Sequence, residues 1–121
     1  MELKIEPQAK ARLAAEAAAA KLGQDIVILD VGDVIGITDA FVVCSASNTR
    51  AVRTIVEEIE EQLRVLADAR PRSIEGLDTA SWVLLDFGDI VVHVFLTETR
   101  EFYDLERLWA DVPREELISE R

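Results

Sequence analysis

Two runs of strand-forming residues, Trp82 to Phe87 and Ile90 to Leu96, meet at Gly88-Asp89. A two-residue, glycine-containing turn between such runs is a strong hairpin signal. It fixes a register in which position 87 faces 90, 85 faces 92 and 83 faces 94. Val83, Leu85, Phe87, Ile90, Val92 and Val94 then form one wholly apolar face, which must lie under helices. The opposite face carries Trp82, Leu84 and Asp86 beside Val91, His93 and Phe95. It is either a second packed layer or a recognition surface. His93 falls opposite Leu84 and diagonal to Asp86, which predicts a hydrogen bond from imidazole to carboxylate that favours a charged or oriented ring. That histidine reads as held in the fold by Asp86, as a partner contact, or as a catalytic group.

The rest of the chain supplies what covers this hairpin. Glu6-Pro7 starts a helix, Pro being tolerated where an N–H would be unpaired anyway. The helix runs through alanines to Leu22, with Gly23 as its left-handed cap and Leu13, Ala17, Ala20 and Leu22 as a thin apolar stripe. Ile26 to Leu29 and Phe41 to Cys44 read as buried strands on either side of a turn region from Gly32 to Asp39. Ser45 to Asn48 offers cap residues for a helix whose Val52, Ile55, Val56, Ile59, Leu63 and Leu66 recur at helical spacing. Arg72 to Glu75 is a short strand before the break at Gly76-Leu77-Asp78. Thr97 or Thr99 caps a last helix with Phe102, Leu105, Leu108 and Trp109 on one core-facing side and Tyr103 at its edge; Pro113 marks its end. The order predicts an α/β fold, a mixed β-sheet with flanking helices: a single domain over residues 1–110 and a flexible, frayed or weakly helical tail over 111–121.

Charge narrows the function. Among 121 residues, 13 Lys and Arg stand against 24 Asp and Glu, a formal net charge of −11. Such a surface repels phosphate backbones and suits a basic protein partner, or serves solubility alone. The single Cys allows no internal disulfide and fits a reducing compartment, and no apolar run reaches the roughly 20 residues of a membrane span. A soluble, cytoplasmic protein is expected.

Motifs for catalysis are thin. Asp86-Phe87-Gly88 spells a kinase metal-binding tripeptide, yet no glycine-rich loop, strand lysine or catalytic-loop signature accompanies it, so it is a turn. Cys44 and His93 could in principle pair as thiolate and base, but a Cys within Phe-Val-Val-Cys reads as a small buried hydrophobe. Asp30, Asp33 and Asp39 could hold Mg²⁺ for nucleotidyl transfer, or could serve turns and caps. Glu57, Glu58, Glu60 and Glu61 form a solvated helix face or meet a basic partner. Trp82, Tyr103 and Trp109 are core or interface aromatics, with Trp82 and Tyr103 the better interface candidates.

The stretch Gly76-Leu77-Asp78-Thr79-Ala80-Ser81-Trp82-Val83-Leu84-Leu85-Asp86-Phe87-Gly88-Asp89-Ile90-Val91-Val92-His93-Val94-Phe95, followed by Arg100-Glu101-Phe102-Tyr103-Asp104-Leu105-Glu106-Arg107-Leu108-Trp109, closely resembles the ribosomal silencing factor family, also called Iojap-like. Asp39-Ala40-Phe41-Val42-Val43-Cys44 and the helix from Asn48 fit as well. The resemblance implies a fold similar to nucleotidyltransferases without their catalytic signature. It implies a non-enzymatic repressor with no cofactor or metal, which docks on the large ribosomal subunit through its ribosomal protein number fourteen and blocks joining of the small subunit when nutrients are scarce. Carried onto matching positions, it makes Trp82, Asp86, His93, Arg100, Tyr103 and Glu106 the candidates for the docking surface or its support. The alternatives are a homodimeric adaptor pairing through its hairpin and a residual Mg-dependent nucleotidyltransferase.

Overall fold

The computed structural model describes residues 5–117; the first residues of the expected domain and the last of the expected tail lie outside them. Eleven elements follow in order: α1 (Pro7–Ala20), β1 (Gln24–Asp30), α2 (Gly32–Ile35), β2 (Ala40–Ala46), α3 (Thr49–Ala67), β3 (Ser73–Glu75), β4 (Trp82–Asp86), β5 (Ile90–Leu96), α4 (Thr97–Tyr103), α5 (Leu105–Leu108) and β6 (Arg114–Glu116). The strands form one six-stranded sheet in the order β3-β4-β5-β2-β1-β6. β2 and β5 run parallel at its centre, and every other pair is antiparallel. This is the mixed α/β architecture that the element order predicts.

The hairpin keeps the predicted register, with Val83 opposite Val94 and Leu85 opposite Val92. Phe87 N–H donates to the Ile90 carbonyl at 3.0 Å, which closes the turn. All six residues of the apolar face are buried, in one core with Ile26, Ile28, Val42 and Cys44 beneath α1 and α3. From α3 the stripe Val52, Ile55, Val56, Ile59 and Leu63 enters that core. Asn48 caps this helix as expected, its Oδ1 accepting from Ala51 N–H at 2.8 Å. Leu66 does not join the stripe: it is exposed, and Ala67 packs on the core in its place, one residue before left-handed Asp68 ends the helix.

Helix α1 departs from its expected stripe. Ala20 and Leu22 are exposed, and the buried face is Ala11, Ala14, Ala15, Ala17 and Ala18, whose small side chains let the helix lie close against α3 and the sheet. The left-handed cap residue is Leu22 (φ 66°), not Gly23. Leu22 N–H donates to the Ala19 carbonyl at 3.0 Å and Gly23 N–H to that of Ala18 at 2.8 Å, the paired bonds of a Schellman ending shifted one residue early.

The expected last helix is broken. Asp104 takes a left-handed conformation (φ 50°) and separates α4 from α5, so helical spacing is lost across the break. Phe102 is consequently 80% exposed and Leu108 71%, while Leu105 and Trp109 do turn inward. Neither Thr97 nor Thr99 caps α4; the cap position is Leu96, and Thr97 Oγ1 donates to the Ala46 carbonyl at 3.2 Å. Part of the expected tail is a strand: β6 pairs with β1, Glu115 opposite Ile28, and Leu117 N–H reaches the Ile26 carbonyl at 2.9 Å. The unpaired edge of β1 supplies the hydrogen bonds that draw this segment in, and an ion pair of Arg12 with Glu115 ties it to α1.

Candidate functional site

The sheet face away from α1 and α3 is divided. Over β1, β2 and the Phe95 end of β5 it is a second packed layer, in which Val27, Leu29, Val43 and Phe95 lie with Val112 and the half-buried Leu105 and Trp109. Over β4 and β5 it is more open, with Trp82, Leu84, Asp86 and Val91 half-buried. Both readings of this face therefore hold, each over part of it.

On the open part the aromatics form a connected cluster. The Trp82 ring stacks on Phe95 at 4.8 Å between centroids and leans on Tyr103 at the same distance. Tyr103, half exposed, meets Phe102 edge-on at 5.0 Å. Phe41 packs edge-on against His93 at 4.8 Å and against Trp109 at 5.8 Å. The position of Trp82 depends on the turn before it. Gly76 has φ 92°, and a Cβ there would lie 2.1 Å from the Trp82 carbonyl oxygen, so only glycine permits this entry into β4.

His93 lies opposite Leu84 as the register requires, but its partner is not Asp86. Trp82 Nε1–H donates to His93 Nδ1 at 3.1 Å. Asp86 is engaged elsewhere: Oδ1 accepts from Gly88 N–H at 2.8 Å, and both oxygens accept from Arg72 Nη2 at 3.2–3.3 Å. The backbone amide at the turn and the Arg72 guanidinium outcompete an imidazole that is 5% exposed. Burial pushes the His93 pKa down to about 4, so the ring is neutral near pH 7, opposite to the charged state favoured by a carboxylate partner.

Arg100 and Glu106 form a separate group. Arg100 is buried, with Nε and Nη2 donating to the two Glu106 oxygens at 3.1 and 2.8 Å. Its Nη1 donates to Ser45 Oγ at 3.1 Å and to the Gln24 carbonyl at 3.3 Å. It is an internal clamp joining α4, α5, β1 and β2 across the break at Asp104. The six candidates thus occupy three places: Trp82, His93 and Tyr103 together, Asp86 at the hairpin turn, Arg100 with Glu106 in the clamp. Phe41 and Phe102 belong with the aromatic cluster and were not among them. The parallel pairing that sets Phe41 beside Val91 joins strands far apart in sequence, and the break that exposes Phe102 has no glycine to announce it.

The groups considered for catalysis are not assembled. Cys44 pairs with Val94 and lies in the core on the helix side of the sheet, whereas His93 lies on the other face. Burial pushes the Cys44 thiol up to about 12, against a smaller opposing pull from Arg100. Asp30 Oδ1 accepts from Gly32 N–H at 3.4 Å, a turn role. Among the described residues no group of three or more His, Cys, Asp or Glu is arranged to hold a metal ion, and no helix is long and apolar enough to cross a membrane.

Comparison with known proteins agrees with this architecture. The family described as "Ribosomal silencing factor during starvation" matches residues 4–121. The ribosomal silencing factor of Bacillus subtilis is 38% identical over 109 residues, spanning 88% of this chain and 89% of its own. The Mus musculus protein named mitochondrial assembly of ribosomal large subunit protein 1 is 37% identical over 89 residues, 71% of this chain and 39% of its own. A Chromobacterium violaceum crystal structure superposes with a TM-score of 0.84 at 31% identity, covering 94% of each chain. Family match, sequence identity and fold coincide over nearly the whole length, and the chain belongs to the ribosomal silencing factor family.

Proposed function

We propose that this chain represses translation under nutrient limitation by docking on the large ribosomal subunit in the cytoplasm, through its ribosomal protein number fourteen, and occluding the surface on which the small subunit joins. It acts by bulk and needs no chemistry of its own. The observation that carries this reading is the tilted Trp82–Tyr103 pair, extended by exposed Phe102, on the open part of the sheet face. A half-buried Trp and an exposed Tyr that are already held in place by neighbours suit the anchor role at protein interfaces, since little side-chain freedom is lost on binding. A surface of net charge −11 steers toward basic protein and away from RNA phosphates. The names of the relatives agree in kind, one being a silencing factor and one concerned with the ribosomal large subunit. Trp82, Tyr103 and His93 form the contact in this reading; Asp86, Arg100 and Glu106 support it.

The test is sedimentation with purified large and small subunits, followed by a subunit-joining assay. The chain should co-migrate with large subunits alone and impair joining. Trp82→Ala or Tyr103→Ala should each weaken binding by roughly 2 kcal/mol, about thirtyfold. A folded Trp82→Ala protein that still pellets fully at limiting concentration, or a chain that leaves joining untouched, refutes the reading. Added salt should slow docking.

A further inference from the structure

The aromatic cluster holds a polar atom that the fold leaves without a partner. Indole Nε1 is only a donor, so the 3.1 Å contact makes His93 Nδ1 the accepting, unprotonated nitrogen. The neutral imidazole then carries its proton on Nε2, which is buried and meets no acceptor. Native folds leave few such donors, because each forfeits its hydration without return. The side chains packed nearest to it supply none. Leu84 and Val43 stand opposite His93 on the two neighbouring strands, Val91 and Phe95 flank it along its own, and Phe41 packs on the ring. None of these side chains accepts a hydrogen bond.

We propose that His93 Nε2–H is the donor for a backbone carbonyl of the docked large-subunit protein and sets that protein's register on the Trp82–Tyr103 patch. This rests on the docking reading above and names the chemistry by which one segment is selected. A carbonyl fits better than a carboxylate, since Asp86 and Glu98 border the aromatics and the chain as a whole is strongly acidic. The same charge disfavours an RNA phosphate. Leu84, Val91 and Phe41 are only half-buried, and docking through this donor requires side-chain movement among them to expose Nε2 while Trp82 keeps its bond to Nδ1. The bond from Trp82 fixes which nitrogen is offered, so one residue both anchors the partner and orients the donor.

Isolated ribosomal protein number fourteen is the probe. In a long-range ¹H–¹⁵N spectrum of the ¹⁵N-labelled free chain, the single histidine should show a protonated Nε2 and a bare Nδ1. On saturation with the probe, the Nε2 proton should move downfield and exchange more slowly with water. By calorimetry His93→Leu should bind about tenfold more weakly, and His93→Gln should recover most of the loss by restoring an amide donor. A proton found on Nδ1, an Nε2 signal that the probe does not move, or unimpaired binding by His93→Leu overturns the proposal. If His93→Leu does not fold, the two spectra of the unaltered chain decide. Failure of the unaltered chain to bind the probe overturns the docking reading and this proposal together; binding with a silent His93 overturns this proposal alone.

Discussion

Lowering the pH should destabilise the protein through one group. His93 is the only histidine, and burial holds it near 4 against the ordinary 6.5 of an unfolded chain. Protonation at Nδ1 would also set two N–H donors head to head across the contact with Trp82. A base whose folded pKa is depressed lends stability in full above its unfolded pKa. Below that value the unfolded chain takes up a proton that the folded chain refuses, so stability falls between about pH 6.5 and about pH 4 and levels off beneath. A shift from 6.5 to about 4 corresponds to about 3 kcal/mol in all, of which about 2 kcal/mol is lost between roughly pH 7.5 and pH 5. Urea unfolding followed by tryptophan fluorescence over this range measures it. His93→Gln should flatten the dependence above pH 5, where no other histidine titrates. Stability that is level from pH 7.5 to 5, or a decline that persists in His93→Gln, refutes the reasoning.

Three further outcomes follow from particular contacts. Gly76→Ala drives a Cβ against the Trp82 carbonyl at a φ that L-residues avoid; it should cost about 2–4 kcal/mol in urea unfolding and weaken large-subunit binding more than its stability loss explains, because Trp82 is displaced. Arg100→Ala leaves Glu106 without its guanidinium and Ser45 Oγ without its donor; a loss of about 2–3 kcal/mol is expected, seen as earlier proteolysis within residues 97–112. Cys44, buried with its thiol near 12, should resist iodoacetamide at neutral pH in the folded chain and react on unfolding, as mass spectrometry would show.

The parts of the fold legible in the sequence are those governed by local rules. The Gly88-Asp89 turn fixes the hairpin register, Asn48 with the apolar stripe from Val52 fixes α3, and both recur in the structure. What escaped is set by distant partners. The buried face of α1 is alanine because α3 and the sheet approach closely, which its weak hydropathy contrast does not display. β6 is three charged residues, and only the free edge of β1 makes it a strand. At the candidate site, Trp82 and Tyr103 could be selected as interface aromatics from composition and position. The partner of His93 could not: the register places Asp86 within reach, but the competition for that carboxylate by Gly88 and Arg72 is settled in three dimensions.

β6 also bears on the order in which the protein can be made. Of the described elements it is the last to be synthesised, and it covers the exposed edge of the second. Every earlier element can condense around the parallel pair of β2 and β5 while β1 still presents an unpaired row of amides and carbonyls. A nascent chain is therefore most open to adhesive strand pairing just before β6 is made, and a polypeptide stopped near residue 110 would keep that state permanently. Adding β6 last among the described elements makes synthesis through residue 116 a condition for covering the β1 edge, and leaves as the new edge only three charged residues, a far poorer template for another strand.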